Sequence, residues 1–178
     1  MRSVIAFLLL ALPLVSQAGA AEPAAFTRTT IDLGTVVTDI DRSVRFYTEG
    51  IGFREVAGFD VPADIASPAG LTDDKPLSVR VLALGDGPEA TKLKLMQIAG
   101  TSPRGGDNEF IHSHTGFRYL TIIVADTNAA VERLAKLGVK PLAKSPVQLP
   151  ESLGGGGMHL TCVRDPDGNI VELLGPKK

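Results

Sequence analysis

The sequence predicts an α+β fold in which two paired βαβββ modules enclose a shared cleft. Three observations predict it. The order strand, helix, three strands can be read twice along the chain from its apolar patterning. Short matches keep the two readings in step: Val37-Thr38-Asp39 corresponds to Val124-Ala125-Asp126, 87 residues on, and Lys94-Leu95 to Glu172-Leu173, 78 residues on. An extra segment in the first half, Gly58 to Pro76, accounts for the shorter second offset. The chain also closes on Arg164 to Leu174 (RDPDGNIVELL), a turn running into a strand. Units of this size cannot bury their apolar faces alone, so they are expected to pair.

Composition sets the outer limits. The chain has 178 residues, a formal net charge of −2, one Cys and no Trp. No basic excess or run of like charge points to nucleic acid. Residues 1–20 read as a secretory signal peptide: Arg2, an apolar run from Val4 to Val15, then small residues at Ala18-Gly19-Ala20. The run is shorter than the roughly 20 residues that span a bilayer. Cleavage before Ala21 or Glu22 is expected, with a periplasmic or secreted product of net charge −3 that carries no membrane anchor. Cys162 is the single cysteine, so no intrachain disulfide forms, and its apolar strand marks it as a small buried hydrophobe.

The mature chain divides into a lead-in (21–29), a first module (30–99), a linker (100–115) and a second module (116–176). Thr30 to Val37 is a strand with Ile31, Leu33, Thr35 and Val37 on one face. Asp39 caps a helix from Ile40 to Glu49, ended by Gly50, and Ile51 to Val56 returns as a strand. Gly58 to Pro76 reads as a long irregular loop beside a binding cleft. Strands follow at Leu77 to Leu84 and Lys92 to Ile98. In the second module the strand is Phe117 to Val124, and Asp126 caps a helix from Thr127 to Leu137. A short strand, Val139 to Ala143, precedes a loop from Pro146 to Gly157. A hairpin of Met158 to Arg164 and Asn169 to Leu174 closes the chain.

Glu172 is the one carboxylate in that last strand. Alternation places it with Ile170 and Leu174, opposite Val171 and Leu173. A buried carboxylate is costly unless it is paired, so Glu172 meets either solvent in a cleft or a partner.

The stretches Val36 to Phe53 (VVTDIDRSVRFYTEGIGF), Val124 to Val139 (VADTNAAVERLAKLGV) and RDPDGNIVELL together resemble the vicinal oxygen chelate superfamily of glyoxalases, bleomycin- and fosfomycin-resistance proteins and extradiol dioxygenases. The resemblance implies a curved mixed sheet around one cleft and a divalent metal held by four side chains, two from each module. It also implies a homodimer. By register the four positions here are Asp32, Lys94, Tyr119 and Glu172, and Glu172 alone keeps the usual residue type. An ammonium has no lone pair for a cation, and tyrosine ligates only once deprotonated, so Lys94 and Tyr119 disfavour the metal. The preferred arrangement puts Lys94 between Asp32 and Glu172, with Tyr119 donating a hydrogen bond. A metal held by Asp32 and Glu172 stays as the alternative, as does a structural reading in which Lys94 reaches solvent.

The histidines are weighed likewise. His112 and His114, spaced H-x-H, read as surface residues of the linker, with nitrogen ligation as the other reading. His159 shares a strand face with Thr161 and Val163 and reads either as a cleft contact or as a core histidine. The functional expectation is an exported protein that binds a small molecule through Asp32, Lys94, Tyr119, His159 and Glu172. The alternative is a metal-dependent lyase, isomerase or dioxygenase with Glu172 as catalytic base or ligand.

Overall fold

Each module builds one four-stranded sheet, and the two sheets share a strand order. The computed structural model describes residues 26–153 and 155–178, so the expected signal peptide lies outside the described residues. In the first module β1 (Leu33–Val36), β2 (Arg54–Val61), β3 (Leu77–Leu84) and β4 (Thr91–Met96) are ordered β1-β4-β3-β2. In the second, β5 (Tyr119–Ile123), β6 (Val147–Gln148), β7 (Met158–Arg164) and β8 (Ile170–Pro176) are ordered β5-β8-β7-β6. The first strand of each module runs parallel to its last, and the other neighbours are antiparallel. A parallel pair requires a long crossover, which each module supplies as a helix followed by two more strands. This is the two-module α+β fold expected.

The helices start where their caps place them. The Asp39 carboxylate accepts from the Arg42 amide (3.0 Å) and opens α1 (Ile40–Arg45). The helix then widens into a π turn, Phe46–Ile51. A four-residue α2 (Ala63–Ala66) follows β2. Asp126 accepts from the Asn128 amide (2.9 Å) and opens α3 (Thr127–Lys136).

Alternation along the strands then builds one core from both modules. Leu93 and Leu95 of β4 point inward with Val37 and Tyr47, and they join Ile122, Leu134, Val171 and Leu173 of the second module. Lys92, Lys94 and Met96 therefore fall on the other face of the first sheet, and Glu172 and Leu174 on the other face of the second. Gly50 lets the π turn approach α3 closely: a Cβ there would lie 2.9 Å from the Leu134 side chain.

Three expectations are corrected. Gly50 does not end the first helix; it is buried inside the π turn, and Gly52 ends it at φ 111°. Gly58 to Pro76 is not a loop throughout. β2 runs to Val61 through a bulge between Val56 and Phe59, and the buried Ala66 of α2 packs with Leu77, Val79 and Val81 on the sheet. The bulge breaks the period of two, which hides the strand from its residue pattern. Val139 to Ala143 forms no strand, and the edge strand is Val147–Gln148 instead. Pro141 has no amide proton to offer a ladder, and only the Leu142 amide bonds across to the Cys162 carbonyl (2.9 Å).

Candidate functional site

The cleft positions of the first module are set by β1 and β4. These strands pair with Gly34 opposite Lys94, so Lys94 projects beside a residue with no side chain. Asp32 sits just ahead of β1. Its Oδ2 lies 3.1 Å from Lys94 Nζ, and its Oδ1 accepts from Arg28 at 2.8 Å. The Asp32 side chain is 19% exposed and that of Lys94 33%. Burial alone would raise the Asp32 pKa, but Lys94 and Arg28 outweigh it and hold the carboxyl below its ordinary value. Lys94 Nζ also stands 6.0 Å from the centre of the Phe59 ring.

In the second module, β5 and β7 flank β8. Thr121 and Cys162 are both register partners of Glu172. The Thr121 hydroxyl donates to Glu172 Oε1 at 2.9 Å. Burial, and then the Glu172 charge, push the Cys162 thiol above its ordinary pKa. Tyr119 opens β5 and is 50% exposed. Between β1 and β5 lies a gap of about 250 Å³, lined by Gly34 and Thr35 on one side and Tyr119 and Ile170 on the other. The modules therefore meet along a seam flanked by their first strands.

Of the arrangement expected from the sequence, half is present. Lys94 pairs with Asp32, but the second cation on that carboxylate is Arg28, not a contact to Glu172. Among the described residues Glu172 makes no ion pair, and its partner is Thr121 from the neighbouring strand. The triad fails because Asp32 and Lys94 meet within one module, while Glu172 is satisfied within the other. His159 shares the strand face of Thr161 and Val163, as read from the alternation. β7 pairs Cys162 with Glu172, so alternation turns His159 to the opposite face, with the buried Thr161 and Val163. Its Nδ1 lies 3.1 Å from the Gly157 carbonyl. His112 and His114 are exposed in the linker, where the His112 ring stacks on Phe110 at 5.5 Å.

The chemistry around Asp32 is already that of an anion held by cations. Both Asp32 oxygens already face cations, Lys94 brings positive charge, and no three described His, Cys, Asp or Glu side chains gather into a ligand set.

Sequence reasoning missed what the closing motif does. Its carboxylates tie the second module to the first. Asp165 is buried and accepts from the Tyr47 hydroxyl (2.9 Å), from the Asn169 amide (2.8 Å) and side chain (2.9 Å), and from the Asp167 amide (3.0 Å). That contact and burial push the Tyr47 hydroxyl far above its ordinary pKa, burial being the larger cause. Asp167 accepts from the Thr38 amide (3.0 Å) and hydroxyl, ahead of α1. Arg28 was overlooked too. It lies four residues before Asp32 in an irregular segment, where that spacing carries no pairing signal, so only the folded lead-in brings the two together.

Paired βαβββ modules with cleft positions on the first and last strand of each define a class of two-module α+β proteins. The chain belongs to the Glyoxalase/Bleomycin resistance protein/Dioxygenase superfamily, whose family model matches residues 31–173. A lactoylglutathione lyase of Pseudomonas putida is 32% identical over 152 residues, covering 79% of this chain and 80% of that protein. A putative lactoylglutathione lyase of Brassica oleracea var. gemmifera is 29% identical over 140 residues, or 78% of this chain. The match spans only 41% of that longer relative. A glyoxalase family protein of Bacillus cereus has the same fold, with a TM-score of 0.71 at 18% identity over 89% of this chain and all of that one.

Proposed function

We propose that this protein binds a small molecule at the seam between its modules, without the superfamily's usual metal site. The observation that carries the reading is Lys94 Nζ at 3.1 Å from Asp32, with Arg28 on the other oxygen. One of the four positions where a cation would need ligands, Lys94, is itself cationic, and the carboxylate beside it is held by two cations. Lys94 and Tyr119 supply donors and Glu172 an acceptor, while the Tyr119 ring and Ile170 supply apolar surface. The residues ahead of the described structure support export, with a mature start at Ala21 or Glu22 that mass determination of the secreted product reads directly.

The second reading, a metal-dependent lyase, is favoured by the Pseudomonas putida relative, which is called a lactoylglutathione lyase. In that reading Glu172 is a ligand or base. Elemental analysis of untagged mature protein separates the two. Binding without metal predicts no stoichiometric metal, and no rise in melting temperature after addition of zinc, nickel, manganese or iron(II). About one equivalent of metal, lost in Glu172→Ala, overturns binding without metal and favours the metal-dependent reading.

A further inference from the structure

On the helical side of the sheets, a second cavity of about 610 Å³ opens where the first helix, the end of α3 and the closing turn meet. Its floor is apolar, formed by Phe46, Leu137, Val139 and Leu142. Its rim carries four cations, Arg42, Arg45, Lys136 and Lys140; Arg164 also lines it, but alternation along β7 sets that side chain on the Glu172 face. Asp165 is its one acidic side chain, and both oxygens of that carboxylate already accept hydrogen bonds from Tyr47, Asn169 and Asp167. The chain as a whole is net negative, so composition does not explain cations gathered in one place.

Ion pairing does not explain most of them either. Among the described residues, Arg42, Lys136 and Lys140 make no ion pair, and Arg45 alone has one, to Glu49 at 3.1 Å. Lys136 closes α3, where a cation offsets the helix dipole. Lys140 stands beyond that helix. Arg42 lies three residues after the Asp39 cap and, in so short a helix, also in the last turn with Arg45, so the dipole gives it no clear preference. The two arginines nearest the closing turn are held in place by neutral groups. Arg42 donates to the Pro166 carbonyl (3.0 Å), and Arg164 to the carbonyls of Asn108, Gly168 (3.0 Å) and Glu109 (3.0 Å). Backbone oxygens fix these side chains without cancelling their charge. The result is a preorganised positive rim over an apolar floor.

The geometry points to a binding site for a small amphipathic anion, its apolar body on Phe46 and Leu137 and its phosphate, sulfonate or carboxylate among the rim cations. This site is separate from the seam: none of the residues that line one cavity lines the other.

The test is calorimetric titration of the mature protein with 1-naphthyl phosphate, using inorganic phosphate and 1-naphthol as the two halves of that probe. Saturable binding at one equivalent is expected, weaker for either half alone. The exposed pair Lys136→Glu/Lys140→Glu should weaken it by about tenfold or more, and added salt should weaken it further. Arg42→Gln should act in the same direction, and Lys94→Gln, which removes a cation from the seam, should leave the affinity within about twofold. Absence of saturable binding up to about 5 mM overturns the proposal, as does an affinity that the double variant retains. A loss that follows Lys94 instead assigns the anion to the seam and also overturns it. Binding of 1-naphthol as tight as that of its phosphate removes the anion from the assignment, and equally tight inorganic phosphate removes the apolar floor.

Discussion

Two side-chain pairs at the seam make testable statements about charge. The Asp32 carboxyl lies below its ordinary pKa in the folded protein because Lys94 and Arg28 outweigh the effect of burial. A carboxyl with a lowered folded pKa contributes stability above its unfolded value of about 3.9, and that contribution is lost as pH falls through the folded value. Lys94→Ala removes one of the two cations. With the Lys94 side chain a third exposed, the expected loss is about 0.5–1 kcal/mol at neutral pH. Urea titrations should show this difference near pH 6 and a smaller one near pH 2.5, as the pH falls toward the lowered folded value of Asp32. A loss of the same size at both values would assign the effect to packing. The triad expected from the sequence would have made this substitution cost several times more, because two buried carboxylates would have lost their common partner. The second pair is Cys162 with Glu172. The thiol is pushed up by burial and by the carboxylate opposite it. Glu172→Gln should lower the thiol pKa and speed reaction with an aromatic disulfide near pH 8 by about a fewfold. An unchanged rate would mean that Glu172 does not govern the thiol.

The closing turn and the π turn are the elements that join the modules. Asp165 is buried under four hydrogen bonds, one of them from Tyr47 of the first module. Asp165→Ala leaves those donors without an acceptor and should cost about 3 kcal/mol or more. Asp167 sits in a more exposed position and serves the start of α1 through Thr38, so Asp167→Ala should cost about 1 kcal/mol. Chemical denaturation of both variants gives the order directly, and the reverse order would contradict the clamp described for Asp165. Gly50 meets Leu134 and Leu137 of the facing helix region. Gly50→Val adds volume where Leu134 is itself buried, and a destabilisation of about 1–3 kcal/mol is expected in the same titration.

At the scale of the molecule, one core crosses the module boundary. Tyr47, Leu93 and Leu95 pack in the same cluster as Leu134, Val171 and Leu173. Neither sheet therefore keeps its apolar face covered when the other is lost. Unfolding is expected as one cooperative transition, with far-ultraviolet circular dichroism and tyrosine fluorescence giving coincident urea midpoints. Separate midpoints would show that the modules are independent. The shared core also separates two cavities: the gap between β1 and β5, lined by Tyr119 and Ile170, and the one beside the first helix and the end of α3, lined by Arg42 and Lys136.

What the sequence alone determined was local or periodic. Asp39 and Asp126 mark the helix starts because capping needs only a side chain and an amide two or three residues away. β3 and β7 have the bounds read from their apolar runs, and alternation alone places Val171 and Leu173 inside with Glu172 outside. The superfamily was legible because its marks, two capped helices and the closing turn, are short and contiguous. Tertiary structure decided everything that required a second strand. It decided that Cys162 rather than His159 faces Glu172, since the hairpin register selects the face. It placed β2 through a bulge and seated Ala66 against the first sheet. It gave Asp32 to Lys94 and Arg28, and Glu172 to Thr121, because side chains pair with whatever packing brings within about 3 Å, and a linear sequence does not hold that distance.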